Sequence, residues 1–173
     1  MTPQFAPRSS LQALQRHDVR FVLIGGMAGR AWGSTSLTDD LDVCYDRAPD
    51  NLERLVAALK ELGARLRGVD DDVPILLDIR TLERGQNFAF DTTAGSLDVL
   101  GQPAGTTGFG ELMANATELD LGRGLVVPVC DLDDLIRMKR AAGRPKDRIE
   151  LEVLAAVREE REAREALERE GAD

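Results

Sequence analysis

The chain has 173 residues, of which 43% are hydrophobic and only 4% are aromatic. This length suits one domain, or one domain with a helical appendage, and the composition predicts a core of Leu, Val, Ile and Ala. The formal net charge of −9 makes the whole molecule repel a phosphate backbone, which disfavours a large nucleic-acid acceptor unless basic residues gather on one face.

The first part of the chain alternates helical and extended patterns. Ser9 or Ser10 is a suitable N-cap for a first helix, and apolar residues at helical spacing after Asp50 predict a longer one. The glycine pair Gly25-Gly26 allows a sharp turn after a buried strand. The predicted elements are a helix to residue 16, a strand at 20–24, a short helix at 27–32, a strand at 41–45, and a helix from its N-cap Asp50 to Gly63.

The second part predicts more strands and then helices. Residues 101–110 contain four glycines and a proline, so they form a loop, either a lid over substrate or a plain surface connection. The other predictions are strands at 74–80, 86–90 and 97–100, a hairpin at 118–128, a helix capped by residues 131–134, and a solvated helix end beyond residue 158.

These elements predict an α/β or α+β fold, with a mixed β-sheet, flanking helices and a C-terminal helical segment. We assign residues 1–130 to the core and residues 131–173 to C-terminal helices packed on it, within one overall domain.

The cysteines and the hydropathy of the chain indicate its cellular compartment. Cys44 and Cys130 each lie within or at the end of an apolar run, which favours reduced, buried thiols over a disulfide. No run approaches the roughly 20 apolar residues that cross a bilayer, and the first residues lack the pattern of a signal peptide. We expect a cytoplasmic protein without a membrane association.

An Asp-x-Asp pair is the main functional signal. Asp40 and Asp42 follow the glycine pair, and in an extended strand residues two apart point to the same side. Two such carboxylates repel each other unless a hard divalent cation lies between them, normally Mg²⁺ carrying substrate phosphates. An isolated Asp-x-Asp pair is common in caps and turns, so the prediction depends on the surrounding residues.

Residues 21–46 resemble the signature of the DNA polymerase β-like nucleotidyltransferase superfamily, which is an apolar strand, Gly-Gly or Gly-Ser, a short helix, and Asp-x-Asp on a second strand. Gly-Gly-x-Ala followed by Ser-x-x-x-Thr-x-Asp-x-Asp is most similar to AbiEii-type toxins and to the minimal nucleotidyltransferases. The resemblance implies a third acidic residue on a later strand, and Asp98 matches it as the lone charge in an apolar run. Gly26 departs from the many relatives that carry Ser there.

The resemblance also implies a reaction, namely transfer of a nucleoside monophosphate (NMP) from an NTP to a hydroxyl group, with release of pyrophosphate. Asp98 would complete a second metal site or accept the hydroxyl proton, and Lys139 would clamp the triphosphate, although a plain ion pair explains that lysine equally well. The implied catalytic and metal-binding residues are Asp40, Asp42 and Asp98, with Mg²⁺ or Mn²⁺ as cofactor. The implied nucleotide-binding residues are Gly25, Gly26, Ser34 and Lys139.

The acceptor stays open between a tRNA or other RNA, a protein and a small molecule. A toxin would have an antitoxin protein as its partner, whereas an enzyme resembling the antibiotic nucleotidyltransferases would modify a small molecule. The acidic net charge favours a small cationic acceptor over tRNA, and a local basic groove would reverse that preference. The alternative is a catalytically inactive nucleotidyltransferase-like module that binds a protein partner. With His17 as the sole histidine, zinc sites and Ser-His-Asp triads have no support.

Overall fold

A computed structural model describes residues 4–70 and 76–171, which form a mixed sheet with flanking helices. The predicted fold class is therefore confirmed. The helices are α1 (Pro7–Arg16), α2 (Gly25–Ala31), α3 (Pro49–Glu61), α4 (Ile79–Arg84), α5 (Phe109–Asn115), α6 (Leu132–Ala142) and α7 (Pro145–Glu170). The strands are β1 (Phe21–Ile24), β2 (Asp40–Tyr45), β3 (Arg65–Leu66), β4 (Asn87–Thr92), β5 (Gly95–Leu100), β6 (Thr117–Asp120) and β7 (Val126–Val129).

The sheet order is β3-β4-β5-β2-β1-β7-β6. Strand β2 lies at the centre and pairs in parallel with β5 and antiparallel with β1. Strand β1 also pairs in parallel with β7, whereas the β4/β5 and β6/β7 pairs are antiparallel. This arrangement places the Asp-x-Asp strand directly beside the strand that carries Asp98.

The core follows the composition, because most of its buried side chains are aliphatic. Tyr45 is fully buried, and its hydroxyl donates to Gln86 O at 3.0 Å, which satisfies the one polar group of that ring. Cys44 and Cys130 are buried and carry free thiols, as predicted, and burial raises the pKa of Cys44 to about 12. Within the described residues, none of the helices combines the length and apolar character needed to cross a membrane.

The structure corrects several predicted elements. The strand expected at 74–80 is wrong where it can be assessed, because residues 76–78 are not in a strand and α4 begins at Ile79; residues 74 and 75 lie outside the described residues. Asp50 is not the N-cap of α3: Ala48 holds that position, and Asp50 lies in the first turn, where it pairs with Arg20 at 2.8 Å. A tertiary ion pair thus uses the carboxylate that the local pattern assigned to a cap.

The hairpin predicted at 118–128 is confirmed as β6 and β7, and Asp131 caps α6 by accepting from the Asp133 N–H at 2.9 Å. The exposed end of α7 beyond residue 158 is also confirmed. That helix nevertheless contacts the core, because the Arg161 guanidinium lies 4.4 Å from the centroid of the Trp32 ring, whose N–H donates to Cys130 O at 2.8 Å.

Candidate active site

Strand register brings the three predicted carboxylates together. Asp42 lies opposite Asp98 in the parallel β2/β5 pair, and Asp40 lies two residues earlier on β2, on the same face. One carboxylate oxygen from each of Asp40, Asp42 and Asp98 lies within 4.8 Å of the other two. The sequence placed two of these groups on one face, and the pairing of two strands that are distant in sequence supplies the third.

The glycine pair leaves room for these side chains. Helix α2 begins at Gly25, two residues earlier than predicted. The φ angle of Gly25 is +69°, a left-handed backbone conformation that residues other than glycine rarely adopt. A Cβ atom on Gly25 would lie 2.2 Å from Asp42 Oδ2. The backbone of this turn therefore approaches the central carboxylate as closely as an unsubstituted Cα allows.

Thr38 explains why the second residue of the pair is glycine. A Cβ atom on Gly26 would lie 2.7 Å from Thr38 Cβ, so a serine at this position would displace the threonine. The Thr38 hydroxyl lies 3.1 Å from Asp40 Oδ1 and 3.0 Å from Asp40 O, and donates to these oxygens. In the sequence Thr38 is only part of a motif, whereas in the structure its hydroxyl orients the Asp40 carboxylate.

Two of the three carboxyl groups, Asp42 and Asp98, have raised pKa values in the folded protein. Burial, followed by the charges of Asp40 and Asp98, raises the pKa of Asp42 to about 7, and Lys139 and Arg144 oppose the shift. Burial also raises the pKa of Asp98, an effect that the Arg67 guanidinium opposes. The raised pKa values of Asp42 and Asp98, together with their position at the cavity, suit a site that binds a cation.

A cavity of about 570 Å³ opens in front of the three carboxylates. One face of α6 forms part of its wall, through Leu135, Met138, Lys139 and Ala142, which follow the helical repeat. The 101–108 loop contributes Pro103 and Ala104. It packs closely on α6, because a Cβ on Gly105 would lie 2.8 Å from Ala141 Cβ.

Basic side chains face the carboxylates across this cavity. Lys139, Arg144 and Lys146 all line it; Arg144 lies in the turn between α6 and α7, and Lys146 lies in the first turn of α7. Lys139 is buried at 8% exposure, and its ammonium group pairs with Glu150 and lies 3.7 Å from Asp147 Oδ1. Lys146 forms no ion pair with any described residue, so its charge is available to a ligand.

The structure places the other predicted nucleotide-binding residues as follows. Gly25 and Gly26 line the cavity, as do the three carboxylates. Ser34 is buried at 8% exposure and is not among the lining residues; its hydroxyl oxygen accepts from the Ser36 N–H at 3.2 Å. Ser34 thus orders the segment before β2 and has no contact with the cavity.

The carboxylates fit a divalent metal ion by their donor chemistry and their spacing. Three anionic oxygens within 4.8 Å of one another match the ligand type that Mg²⁺ and Mn²⁺ prefer. Asp98 Oδ1 is buried and lies 3.1 Å from the Arg67 guanidinium, without a well-aligned hydrogen bond from the described residues. The geometry therefore accommodates a cation without any rearrangement of the strands.

Comparison with known proteins supports the fold and gives no family assignment. No protein-family model and no curated protein matches the chain. The solved structures that are similar to most of it include the following three. The solution structure of the antibiotic-resistance factor ANT(2'')-Ia covers 95% of this chain and 94% of its own, with a TM-score of 0.53 and 17% identity. The lincomycin-bound lincosamide adenylyltransferase LnuA covers 85% and 92%, with a TM-score of 0.56 and 12% identity.

The third is ANT(2'')-Ia in complex with adenylyl-2''-tobramycin, which covers 88% of this chain and 95% of its own, with a TM-score of 0.54 and 19% identity. At these identities the similarity concerns the fold. The chain therefore has the nucleotidyltransferase fold that residues 21–46 led us to expect.

Proposed function

We propose that this protein transfers an NMP from an NTP to a hydroxyl group of a small molecule and releases pyrophosphate. The observation that carries the proposal is the convergence of Asp40, Asp42 and Asp98 within 4.8 Å at a cavity whose opposite wall is basic. Negative ligands for a metal ion and positive ligands for phosphates are the two requirements of phosphoryl transfer.

The three carboxylates would hold Mg²⁺ or Mn²⁺. Held there, the ion would supply the positive charge that offsets the negative charge developing on the pyrophosphate leaving group. The raised pKa of Asp42 then falls, because the ionised form gains a cationic partner.

The chain's own residues would position the nucleotide. Lys146 and Arg144 would contact the triphosphate, and Lys139 would join them once its pair with Glu150 is released. The close approach of Gly25 to Asp42 brings backbone near the reacting phosphate. Asp98, on the neighbouring strand, would accept the proton of the attacking hydroxyl.

A small-molecule acceptor is favoured by two observations. The structural neighbours ANT(2'')-Ia and LnuA carry the names of antibiotic-modifying enzymes. The net charge of −9 also disfavours an RNA acceptor, since the basic residues of the cavity are few and lie where the triphosphate would bind. The closer resemblance to AbiEii-type toxins, and with it an antitoxin partner, stays a prediction that a growth assay on expression would test.

The first test is calorimetric titration of each of the four NTPs into the protein, with and without Mg²⁺. Asp40→Asn and Asp42→Asn should abolish magnesium-dependent binding. Asp39→Asn is the matched control, because it removes the same charge beside the site but none of the three clustered carboxylates. We expect Asp39→Asn to bind within about threefold of the wild type, a difference of under 1 kcal/mol.

The second test measures pyrophosphate release with tobramycin, lincomycin and other small hydroxylated molecules as acceptors. Magnesium-dependent release above the rate with water alone, lost in Asp98→Asn, would support the transfer reaction. A folded wild type that binds none of the four NTPs at millimolar concentration would refute the proposal and favour the inactive, partner-binding module.

A further inference from the structure

A row of residues crosses four neighbouring segments of the sheet and ends at an arginine. Asp42 lies opposite Asp98 in the β2/β5 pair, and Asp98 lies opposite Ala89 in the β5/β4 pair. The Arg67 N–H donates to Ala89 O at 2.8 Å, which extends the β3/β4 pairing by one residue. Because cross-strand neighbours share a face, the arginine side chain starts on the same face as the carboxylates.

The small side chain of Ala89 lets the arginine pass over β4. Arg67 Nη2 lies 3.1 Å from Asp98 Oδ1 and donates to Phe90 O at 3.0 Å, while Arg67 Nε donates to Asp91 Oδ1 at 3.1 Å. The guanidinium is therefore anchored to β4 at two points while it contacts the carboxylate on β5. Planar guanidinium geometry makes such multiple contacts possible, and a lysine could form only some of them.

The two oxygens of Asp98 have different surroundings. Oδ1 is buried and lacks a well-aligned hydrogen bond within the described residues, so the guanidinium acts on it mainly through charge. The side chain as a whole keeps 23% exposure and lines the cavity, so Oδ2 is the oxygen that faces it. Arg67 itself is not among the residues that line the cavity.

We propose that Arg67 is a positioning residue for the transfer reaction, which holds Asp98 Oδ1 from outside the cavity and leaves Oδ2 to act on the acceptor hydroxyl. This inference rests on the proposed function, since it assigns Asp98 a part in that reaction. It adds a contact that the motif does not contain, because Arg67 lies in the turn after β3, outside the segment that carries the signature.

Removing the arginine should have two effects of opposite sign. Turnover should fall, because a reacting carboxylate that can rotate spends less time in the productive geometry. Loss of an outer contact of this kind lowers activity by about 10- to 100-fold in comparable sites. Metal binding should be as tight as in the wild type or tighter, because a positive charge near three carboxylates has been removed and both oxygens of Asp98 can then turn inward.

The test compares Arg67→Met, Arg67→Lys and Ala89→Val with the wild type. Arg67→Met keeps the apolar stem, Arg67→Lys keeps the charge, and Ala89→Val narrows the path over β4 without changing any ionisable group. Arg16→Met is the matched control, since it removes an arginine whose partner is the exposed Glu61. Melting curves verify folding, and Ala89→Val, which suits a β-strand, keeps the test available if Arg67→Met does not fold.

Two quantities are measured on each protein. The first is the affinity for Mn²⁺ alone by calorimetry, and the second is kcat and KM for magnesium-dependent pyrophosphate release from the NTP that the wild type binds most tightly, with water as acceptor. We expect Arg67→Met to lower kcat about 10- to 100-fold, without raising KM and without weakening the affinity for Mn²⁺. Arg67→Lys should recover part of the lost kcat. Ala89→Val should resemble Arg67→Met in all three quantities.

Unchanged kcat in Arg67→Met, or Mn²⁺ affinity that weakens in parallel with kcat, would overturn the inference and leave the proposed function standing. A wild type that neither binds Mn²⁺ nor releases pyrophosphate would instead refute the proposed function, and this inference with it. Arg16→Met should match the wild type in kcat, KM and Mn²⁺ affinity, because this result excludes a general effect of lost positive charge on the Arg67→Met data.

Discussion

Asp42→Asn should make the metal-free protein more stable while it removes the metal site. Asn has nearly the same shape as Asp but carries no charge. The Asp42 carboxylate accepts no hydrogen bond from any described residue, so the substitution breaks none there. What it removes is a half-buried, poorly solvated negative charge that lies beside Asp40 and Asp98.

The size of the effect follows from the pKa of Asp42. It is about 7 in the folded protein and 3.8 for an ordinary aspartate, the value expected in the unfolded chain. The folded state therefore holds this proton more tightly, and the stability of the wild type falls as the pH rises from about 4 to about 7. At about 1.4 kcal/mol per pKa unit, the penalty reaches an upper limit of about 4 kcal/mol above pH 7 and about 1.6 kcal/mol at pH 5.

Urea denaturation in the presence of a chelator measures the difference in free energy of unfolding between Asp42→Asn and the metal-free wild type. Asp42→Asn should exceed the wild type in free energy of unfolding by up to about 4 kcal/mol at pH 8, by less at pH 5, and by nothing below about pH 4. Added Mg²⁺ should stabilise the wild type and leave the variant unchanged. A variant that is equally or less stable than the metal-free wild type at pH 8 would refute the electrostatic account of this site.

Two further substitutions test the close contacts of the site. Gly25→Ala should destabilise the fold by about 1–3 kcal/mol in urea denaturation and weaken Mn²⁺ binding, because φ is +69° and the new Cβ would lie 2.2 Å from Asp42 Oδ2. Gly68→Ala, with φ +79° and open space around it, should show the backbone strain without the loss of Mn²⁺ affinity. Glu150→Gln should lower stability yet tighten NTP binding by about 2- to 10-fold in calorimetry, because it frees the buried Lys139 ammonium for the triphosphate; weaker NTP binding would show that Glu150 supports the site.

Local patterns predicted the elements whose formation depends on short-range effects. The hairpin of β6 and β7 follows from the turn at Gly122–Gly124, where all three residues have positive φ, and the cap at Asp131 follows from one side chain and a nearby N–H. The strand expected at 74–80 is wrong over residues 76–80, because Leu76 and Leu77 lie in the loop before α4 and Ile79 begins the helix. Asp78 caps α4 by accepting from the Thr81 N–H at 2.9 Å, a capping signal that could have been recognised.

The sequence also could not assign Ser34 or Lys139. Ser34 matches a motif by spacing, yet its hydroxyl accepts from the backbone of Ser36 and lies off the cavity wall. Lys139 lines the cavity and is also paired with Glu150. Its surroundings therefore fit both of the predicted roles, a clamp for the triphosphate and a plain ion pair. Glu150 itself lies in an ordinary helical charge pattern, and nothing in that pattern singles it out.

The sequence by itself determined that Asp40 and Asp42 share one face of a strand, because side-chain direction in a strand has a period of two. It also determined that the chain turns sharply at Gly25-Gly26, because glycine adopts the positive φ seen at Gly25 without steric cost. The resemblance implied Asp98 as the third carboxylate, and tertiary structure supplied the register that places it opposite Asp42. Tertiary structure alone decided that Thr38 fills the space beside Gly26 and that Arg67 reaches Asp98 over Ala89. These contacts join segments far apart in the chain, and the register that brings them together is set by packing of the whole sheet.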